Sequence, residues 1–117
     1  MGVGYSLVNY TKKEFIIFDK VSASKARELA GNPASAAIST WYMLNNIGDD
    51  ISFISDTHNE WPFPEGSRDD LVNYKEVTNE IVSSLILEGI LIDEGKVFPF
   101  EDDHNVYFRK LHNIWLK

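Results

Sequence analysis

The stretch GYSLVNYTKKEFIIF, residues 4–18, determines how the fold begins. Gly4 to Val8 alternates modestly between apolar and polar side chains, and Glu14 to Phe18 is rich in β-branched and aromatic residues. Both patterns are typical of β-strands. Between them, Asn9 to Lys13 supplies the polar residues of a turn. The stretch therefore predicts an opening β-hairpin.

Two helices are predicted to follow this hairpin. The first covers Ser22 to Ala30, with Ser22 or Ser24 as its cap and Gly31 at its end. The second begins at Asn32-Pro33, because Asn is a favoured N-cap and Pro is tolerated at the first helical position. Its apolar side chains recur at helical spacing up to about residue 46.

The second half of the chain starts with a predicted strand, Ile51 to Ser55, and a proline-containing loop over residues 57–66. The segment Ser67-Arg68-Asp69-Asp70 resembles a capping box with Asp in place of Glu. The helix predicted behind it ends at Gly89 and carries one apolar stripe, formed by Leu71, Tyr74, Val77 or Thr78, Ile81, Val82 and Leu85.

The C-terminal part is predicted to be all β. Ile90 to Asp93 and Val97 to Phe100 flank Glu94-Gly95, which favours a hairpin. Val106 to Leu116 alternates as a final strand. The element order β-β-α-α-β-α-β-β-β predicts one α+β domain over residues 1–117, with an antiparallel or mixed sheet and about three helices on one face.

Composition places the chain among globular proteins. Of its 117 residues, 44% are apolar and fifteen are aromatic, which is enough for a real core. The chain has no cysteine, so disulfide scaffolds, thiolate zinc sites and cysteine nucleophiles are excluded. The N-terminal residues do not resemble a signal peptide, and no apolar stretch approaches membrane-spanning length. We therefore expect a cytoplasmic protein.

The negative charge of the chain is concentrated in one segment. The formal net charge is −7, and residues 49–70 contain seven acids but one base, Arg68. A field of this sign repels phosphate backbones, which argues against direct nucleic-acid binding. It favours a basic protein as the partner.

No motif in the sequence predicts catalysis, a metal or a cofactor. His58 and His104 each follow acidic residues, but neither segment has the ligand spacing of a zinc or calcium site. The segment GILIDEGKV, residues 89–97, lacks the spacing and the hydroxyl of a phosphate-binding loop. Paired carboxylates leave a glycosidase-like pair open, yet we expect the chain not to be an enzyme.

The loop Trp61-Pro62-Phe63-Pro64 has two interpretations that the sequence leaves open. Its two aromatic side chains either close the edge of the core or form a binding anchor with an acidic rim. Large aromatic residues are enriched among the residues that dominate binding energy, and complementary charge speeds association.

The chain's length, acidity, lack of cysteine, α+β layout and aromatic-acidic loop together give it a resemblance to a known class of protein. It resembles the small acidic immunity proteins of bacterial contact-dependent and related polymorphic toxin systems. The resemblance implies an inhibitor that covers the active site of a basic, nuclease-like toxin, with acidic side chains in place of nucleic acid. The implied contacts are Asp49, Asp50, Asp56, Glu60, Trp61, Glu65, Asp69 and Asp70.

Two other classes of function remain open. The first is a general protein-interaction or homodimeric adaptor domain, since the sequence leaves the oligomeric state undetermined. The second is a small enzyme or ligand binder, which would need a concave pocket with convergent polar groups.

Overall fold

A computed structural model describes residues 4–18, 26–55, 61–98, 100–103, 105 and 107–115. It confirms the predicted α+β class. A 3-10 helix at Arg68–Asn73 lies between the third and fourth strands, and the other elements are β1 (Tyr5–Asn9), β2 (Glu14–Ile17), α1 (Ala26–Gly31), α2 (Pro33–Leu44), β3 (Ile51–Ser55), β4 (Lys75–Glu76), α3 (Thr78–Leu87), β5 (Leu91–Val97) and β6 (Phe108–Asn113). None of these helices has both the length and the hydropathy that crossing a lipid bilayer requires.

The opening hairpin is present as predicted and forms the centre of the main sheet. β1 and β2 are antiparallel, with Leu7 opposite Ile16 and Val8 opposite Phe15. β3 pairs antiparallel with the other edge of β1, and β4 pairs parallel with β2. The strand order is β3-β1-β2-β4, so the sheet is mixed.

Both faces of this sheet are covered. Alternation along a strand sends neighbouring side chains to opposite faces. Leu7 therefore joins the larger core cluster, to which all three helices contribute, including Leu29, Ile38 and Val82. Val8 joins a smaller cluster on the opposite face, where residues 61–74 cover the sheet.

The start of α2 agrees with its sequence signals. The side chain of Asn32 accepts hydrogen bonds from the N–H groups of Ala34 (2.9 Å) and Ser35 (3.2 Å). Pro33 occupies the first helical position, where its missing N–H leaves no acceptor unpaired. The proposed caps of α1, Ser22 and Ser24, lie outside the described residues.

The long helix predicted behind the capping box is wrong in its first half. The box is present at Ser67, but only a 3-10 helix follows it, and the chain then forms β4 before α3 begins at Thr78. The reason is tertiary. The N–H of Lys75 donates to the carbonyl of Lys13 (3.0 Å), and the N–H of Val77 donates to that of Phe15 (2.9 Å). Pairing with the edge of β2 thus overrides the helical period.

The hairpin predicted over residues 90–100 is also wrong. Residues 91–97 form the single strand β5, which pairs with β6, and the register shifts between Asp93 and Lys96. Gly95 has φ 108°, so the dipeptide interpreted as a turn produces a β-bulge instead. β6 is shorter than the predicted strand, whose ends at Val106 and Leu116 lie outside the described residues.

Arg109 joins the two strands of this ribbon through an ion pair and joins the ribbon to α3 through a hydrogen bond. Arg109 Nη2 lies 2.7 Å from Asp93 Oδ2, and Arg109 Nη1 donates to Asn79 Oδ1 at 2.9 Å. Burial alone would raise the pKa of Asp93, but the N–H of Gly95 and the guanidinium outweigh it and lower that pKa. Through these contacts Arg109 links β5, β6 and α3.

Thr78 supplies a test of how residues 75–78 hold the edge of β2. Its buried Oγ1 accepts a hydrogen bond from the N–H of Ile17 at 3.0 Å. In Thr78→Val this N–H loses its acceptor, so we expect the free energy of unfolding in urea to fall by about 1–3 kcal/mol. The exposed control Ser83→Ala on the same helix should stay within about 0.5 kcal/mol of wild type. Equal stability of the two variants would contradict this role.

Candidate functional site

Two acidic segments that are distant in sequence meet at the β1–β2 turn, residues 10–13. On one side, the N–H of Tyr10 donates to the carbonyl of Asp50 (2.9 Å), and the N–H of Asp50 donates to Thr11 Oγ1 (2.8 Å). On the other side, the ring of Tyr10 stacks on Phe63 with centroids 5.1 Å apart. We call this region the turn surface; it comprises residues 10–13 with Asp49, Asp50, Glu65 and Asp70, together with the exposed Asp69, which precedes Asp70 in the 3-10 helix.

Asp49 is tied into the fold by a polar network. Asn9 is fully buried, donates through Nδ2 to Asp49 Oδ2 (2.9 Å) and accepts through Oδ1 from the N–H of Lys12 (2.9 Å). Lys12 Nζ lies 3.4 Å from Asp49 Oδ2 and also contacts Asn46 Oδ1. The hydrogen bond from Asn9, with a smaller contribution from Lys12, lowers the pKa of Asp49.

A second buried polar contact supports the same turn from α2. The hydroxyl of Tyr42 donates to Glu14 Oε1 at 2.6 Å, and the Tyr42 side chain is buried in the larger core. Burial, followed by the hydrogen bond to Glu14, raises the pKa of Tyr42. The phenol therefore stays protonated at neutral pH and acts as a fixed donor.

The loop at residues 61–64 lies across the smaller core. Phe63 is buried, and Trp61 meets its edge with ring centroids 5.0 Å apart. The indole N–H of Trp61 donates to the carbonyl of Glu65 at 2.7 Å. These contacts favour the core-closing interpretation of the loop, because Trp61 is half-buried and its polar atom already has a partner.

A cavity of about 400 Å³ opens beside the turn surface. Its lining combines two aromatic rings, a lysine and two carboxylates: Tyr10, Lys13, Glu65, Gly66, Asp70, Asn73 and Tyr74. Lys13 Nζ lies 3.5 Å from the centroid of the Tyr10 ring and 5.6 Å from that of Tyr74. Both distances are within the range of a cation–π contact.

Asp70 and Gly66 shape one wall of this cavity. Asp70 Oδ2 accepts a hydrogen bond from the N–H of Ser67 at 3.0 Å, as in a capping box. Gly66 has φ 84°, which strains a residue that carries a side chain, and a Cβ there would have to displace Asp70 Oδ2. Burial, with the nearby charge of Asp70, raises the pKa of Tyr74.

The structure brings most of the sequence-predicted contact residues to the turn surface. Asp50, Glu65, Asp69 and Asp70 are exposed, whereas Asp49 is half-buried in its network. Asp56 and Glu60 lie outside the described residues. Sequence reasoning missed the roles of Tyr10, Lys13 and Tyr74, because no local pattern indicates that residues 13 and 74 lie together.

A metal centre finds no support in the described part of the chain. No group of three His, Cys, Asp or Glu side chains there could hold a metal ion. His58 and His104 lie outside that part, and His112 is exposed on β6.

A second cavity, of about 390 Å³, lies between the helices and the β3 edge. Its lining is mainly apolar, and its polar side-chain groups are the hydroxyls of Tyr5, Ser39 and Thr40. The other lining residues are Leu29, Ala30, Ala36 and Phe53. None of its described lining residues carries a carboxylate, an imidazole or an amine, which are the groups that most often serve in acid–base chemistry.

Comparison with protein-family models, curated proteins and solved structures gives no match for this chain. Its function is therefore inferred from its own residues. The turn surface is the part of the described chain that combines a cavity, fixed aromatic rings and clustered exposed charge.

The Asp49 network predicts a specific dependence of stability on pH. An aspartate whose pKa is lower in the folded state than its ordinary value of about 3.9 stabilises the fold above that value, and the contribution is lost as pH falls through the folded pKa. We expect Asp49→Asn to be less stable than wild type at pH 7. The difference in unfolding free energy should shrink as the pH is lowered below about 4.

Urea unfolding between about pH 3 and pH 7 measures this difference. The unfolding free energy of the control Asp50→Asn should change with pH in the same way as that of wild type, because the Asp50 contacts described above use its backbone. A constant gap between wild type and Asp49→Asn across this range would contradict the assigned role of the network.

Proposed function

We propose that this chain is a protein inhibitor that binds a basic protein through the turn surface, in the manner of an immunity protein that covers a nuclease-like toxin. The observation that carries the proposal is the arrangement of exposed carboxylates on one turn. Asp50 comes from one segment, while Glu65, Asp69 and Asp70 come from another, and both segments border residues 10–13.

The supports of the turn surface favour binding without large rearrangement. Backbone hydrogen bonds tie Tyr10 to Asp50 (2.9 Å) and Lys75 to Lys13 (3.0 Å). Stacking of Tyr10 on Phe63 fixes its aromatic side to the smaller core. A surface that is already ordered loses less conformational entropy on association.

The negative charge of the chain favours a basic protein as its partner. A net charge of −7 repels acidic proteins and nucleic acids and speeds encounter with basic ones. An enzyme that binds nucleic acid carries a basic surface, since it must neutralise phosphates. We therefore propose a basic nuclease-like domain as the partner, and the cytoplasm, where such a toxin acts, as the site of inhibition.

A three-residue charge reversal tests this surface. The variant Asp50→Lys, Glu65→Lys, Asp69→Lys leaves Asp70 and its capping contact intact. The immobilised wild-type chain captures its partner from a host lysate, and the captured protein is purified and its activity measured. We expect a basic protein that the wild type inhibits, with a Kd that rises at least about tenfold between low and high salt. The variant should not inhibit it.

The matched control places the same charge change elsewhere. Glu88→Lys, Glu94→Lys, Glu101→Lys alters exposed acids outside the turn surface and also raises the net charge from −7 to −1. It should inhibit like wild type. Equal loss in both variants would show that net charge alone matters, and a captured protein that is acidic or insensitive to salt would refute the proposal.

The β5–β6 ribbon supports a second candidate, a homodimeric adaptor. Ile92 lies opposite His112, and Ile114 shares that side of the ribbon. Ile92 and Ile114 are exposed, as is Trp115, which keeps 70% of its surface accessible. Within the described residues, β5 and β6 pair only with each other, so each has an edge that a second copy could extend.

Light scattering over a range of concentrations tests the homodimer. A mass of twice 13.4 kDa that returns to 13.4 kDa in Trp115→Glu would support this candidate. A monomer at every concentration would leave the inhibitor as the remaining proposal.

A further inference from the structure

The cavity beside the turn surface contains the groups that proteins use to recognise an organic cation. Tyr10 and Tyr74 offer ring faces, while Glu65 and Asp70 supply carboxylates. Ring faces attract cations through their quadrupole, and carboxylates pair with guanidinium groups in a directional way. The cavity volume of about 400 Å³ is sufficient for a side chain of that size.

Lys13 shows that the cavity already accommodates a cation. The ring of Tyr10 is nearly parallel to that of Phe63, with an interplanar angle of 8°, so Phe63 covers one of its faces. Lys13 Nζ, at 3.5 Å from the ring centroid, therefore occupies the other face. The same ammonium lies 5.6 Å from the Tyr74 centroid. Lys13 thus occupies the position that an incoming cation would take.

Lys13 does not use the full chemistry of the cavity. In the described part of the chain, the ion pairs involve Lys12, Lys75 and Arg109, and none involves Lys13. Its ammonium is therefore held by ring faces, while the carboxylates of Glu65 and Asp70 remain exposed. An incoming guanidinium can stack on the rings and pair with a carboxylate at the same time.

Lys13 can move its ammonium without any change in its backbone. Its φ of 58° lies in the left-handed region, and the turn sets this conformation whether or not the ammonium lies in the cavity. Its side chain is long and the residue is exposed, so the ammonium can leave the cavity for water. Displacing it breaks no ion pair within the described residues.

We propose that this cavity is a cation-recognition site that takes an arginine side chain of the protein partner, and that Lys13 is its displaceable internal occupant. Arginine fits better than lysine, because its planar guanidinium stacks on rings and binds carboxylates through two parallel hydrogen bonds. The identity of the guest as part of a protein partner rests on the proposed function above. The site itself can be tested without any partner.

The test uses the arginine analogue N-acetyl-arginine methylamide as the probe. It is titrated into the full-length ¹⁵N-labelled chain, and the amide signals of Gly66 and Asn73 report binding at the cavity. We expect Lys13→Met to bind the probe at least about fivefold more tightly than wild type, because the internal competitor is gone. The uncharged citrulline analogue should not bind. Glu65→Gln in the Lys13→Met background should weaken binding of the arginine analogue.

The spectrum of each variant reports whether it is folded, so loss of binding can be separated from loss of structure. Equal binding of the citrulline and arginine analogues would overturn the site, as would an absence of shifts in folded Lys13→Met.

The capture experiment separates the two proposals. Arginine binding with no basic protein captured would refute the inhibitor function and leave the cation site standing. A captured partner whose Kd is unchanged by Tyr74→Leu would overturn the assignment of that partner's arginine to the cavity.

Discussion

The pairing of residues 75–78 with the edge of β2 is the contact on which the rest of the molecule depends. An open strand edge leaves backbone donors and acceptors unpaired, and here β4, Val77 and the Thr78 hydroxyl satisfy those of β2. This pairing brings the chain back across the sheet after β3. As a result, residues 61–74 cover the face opposite the helices and build the smaller core. The cavity and its acidic border follow from that crossing.

The sequence predicts well the elements that depend on neighbouring residues. The opening hairpin follows from alternation and a polar turn, and Asn32 follows from the local chemistry of a helix start. The prediction fails where distant pairing decides the outcome. Residues 71–77 carry an apolar stripe at helical spacing, but pairing with the edge of β2 interrupts the predicted helix there. The Gly95 segment forms a bulge and not a turn, because β6 pairs along the whole of β5. No local window of sequence contains either partner.

The sequence also predicts one part of the candidate site and misses another. Composition identifies the acids at residues 49–70, and most of those within the described chain lie at one turn. It does not identify Lys13 between Tyr10 and Tyr74, because that arrangement requires residues 13 and 74 to meet in space. It also does not separate Asp49, which is held by Asn9 and Lys12, from the freely exposed Asp50. Burial and partners distinguish structural carboxylates from those that are available for binding.

The left-handed backbone of Lys13 has a consequence for how specificity can diverge. Asn and Gly adopt this conformation with less strain than Lys, so replacing Lys13 by either should preserve the turn. Each replacement would also remove the cation from between the two tyrosine rings. The turn therefore has one position at which a single codon change can alter what the surface accepts while leaving its architecture unchanged. Exchange at residue 13 is thus expected to change which cations the surface accepts without destabilising the turn.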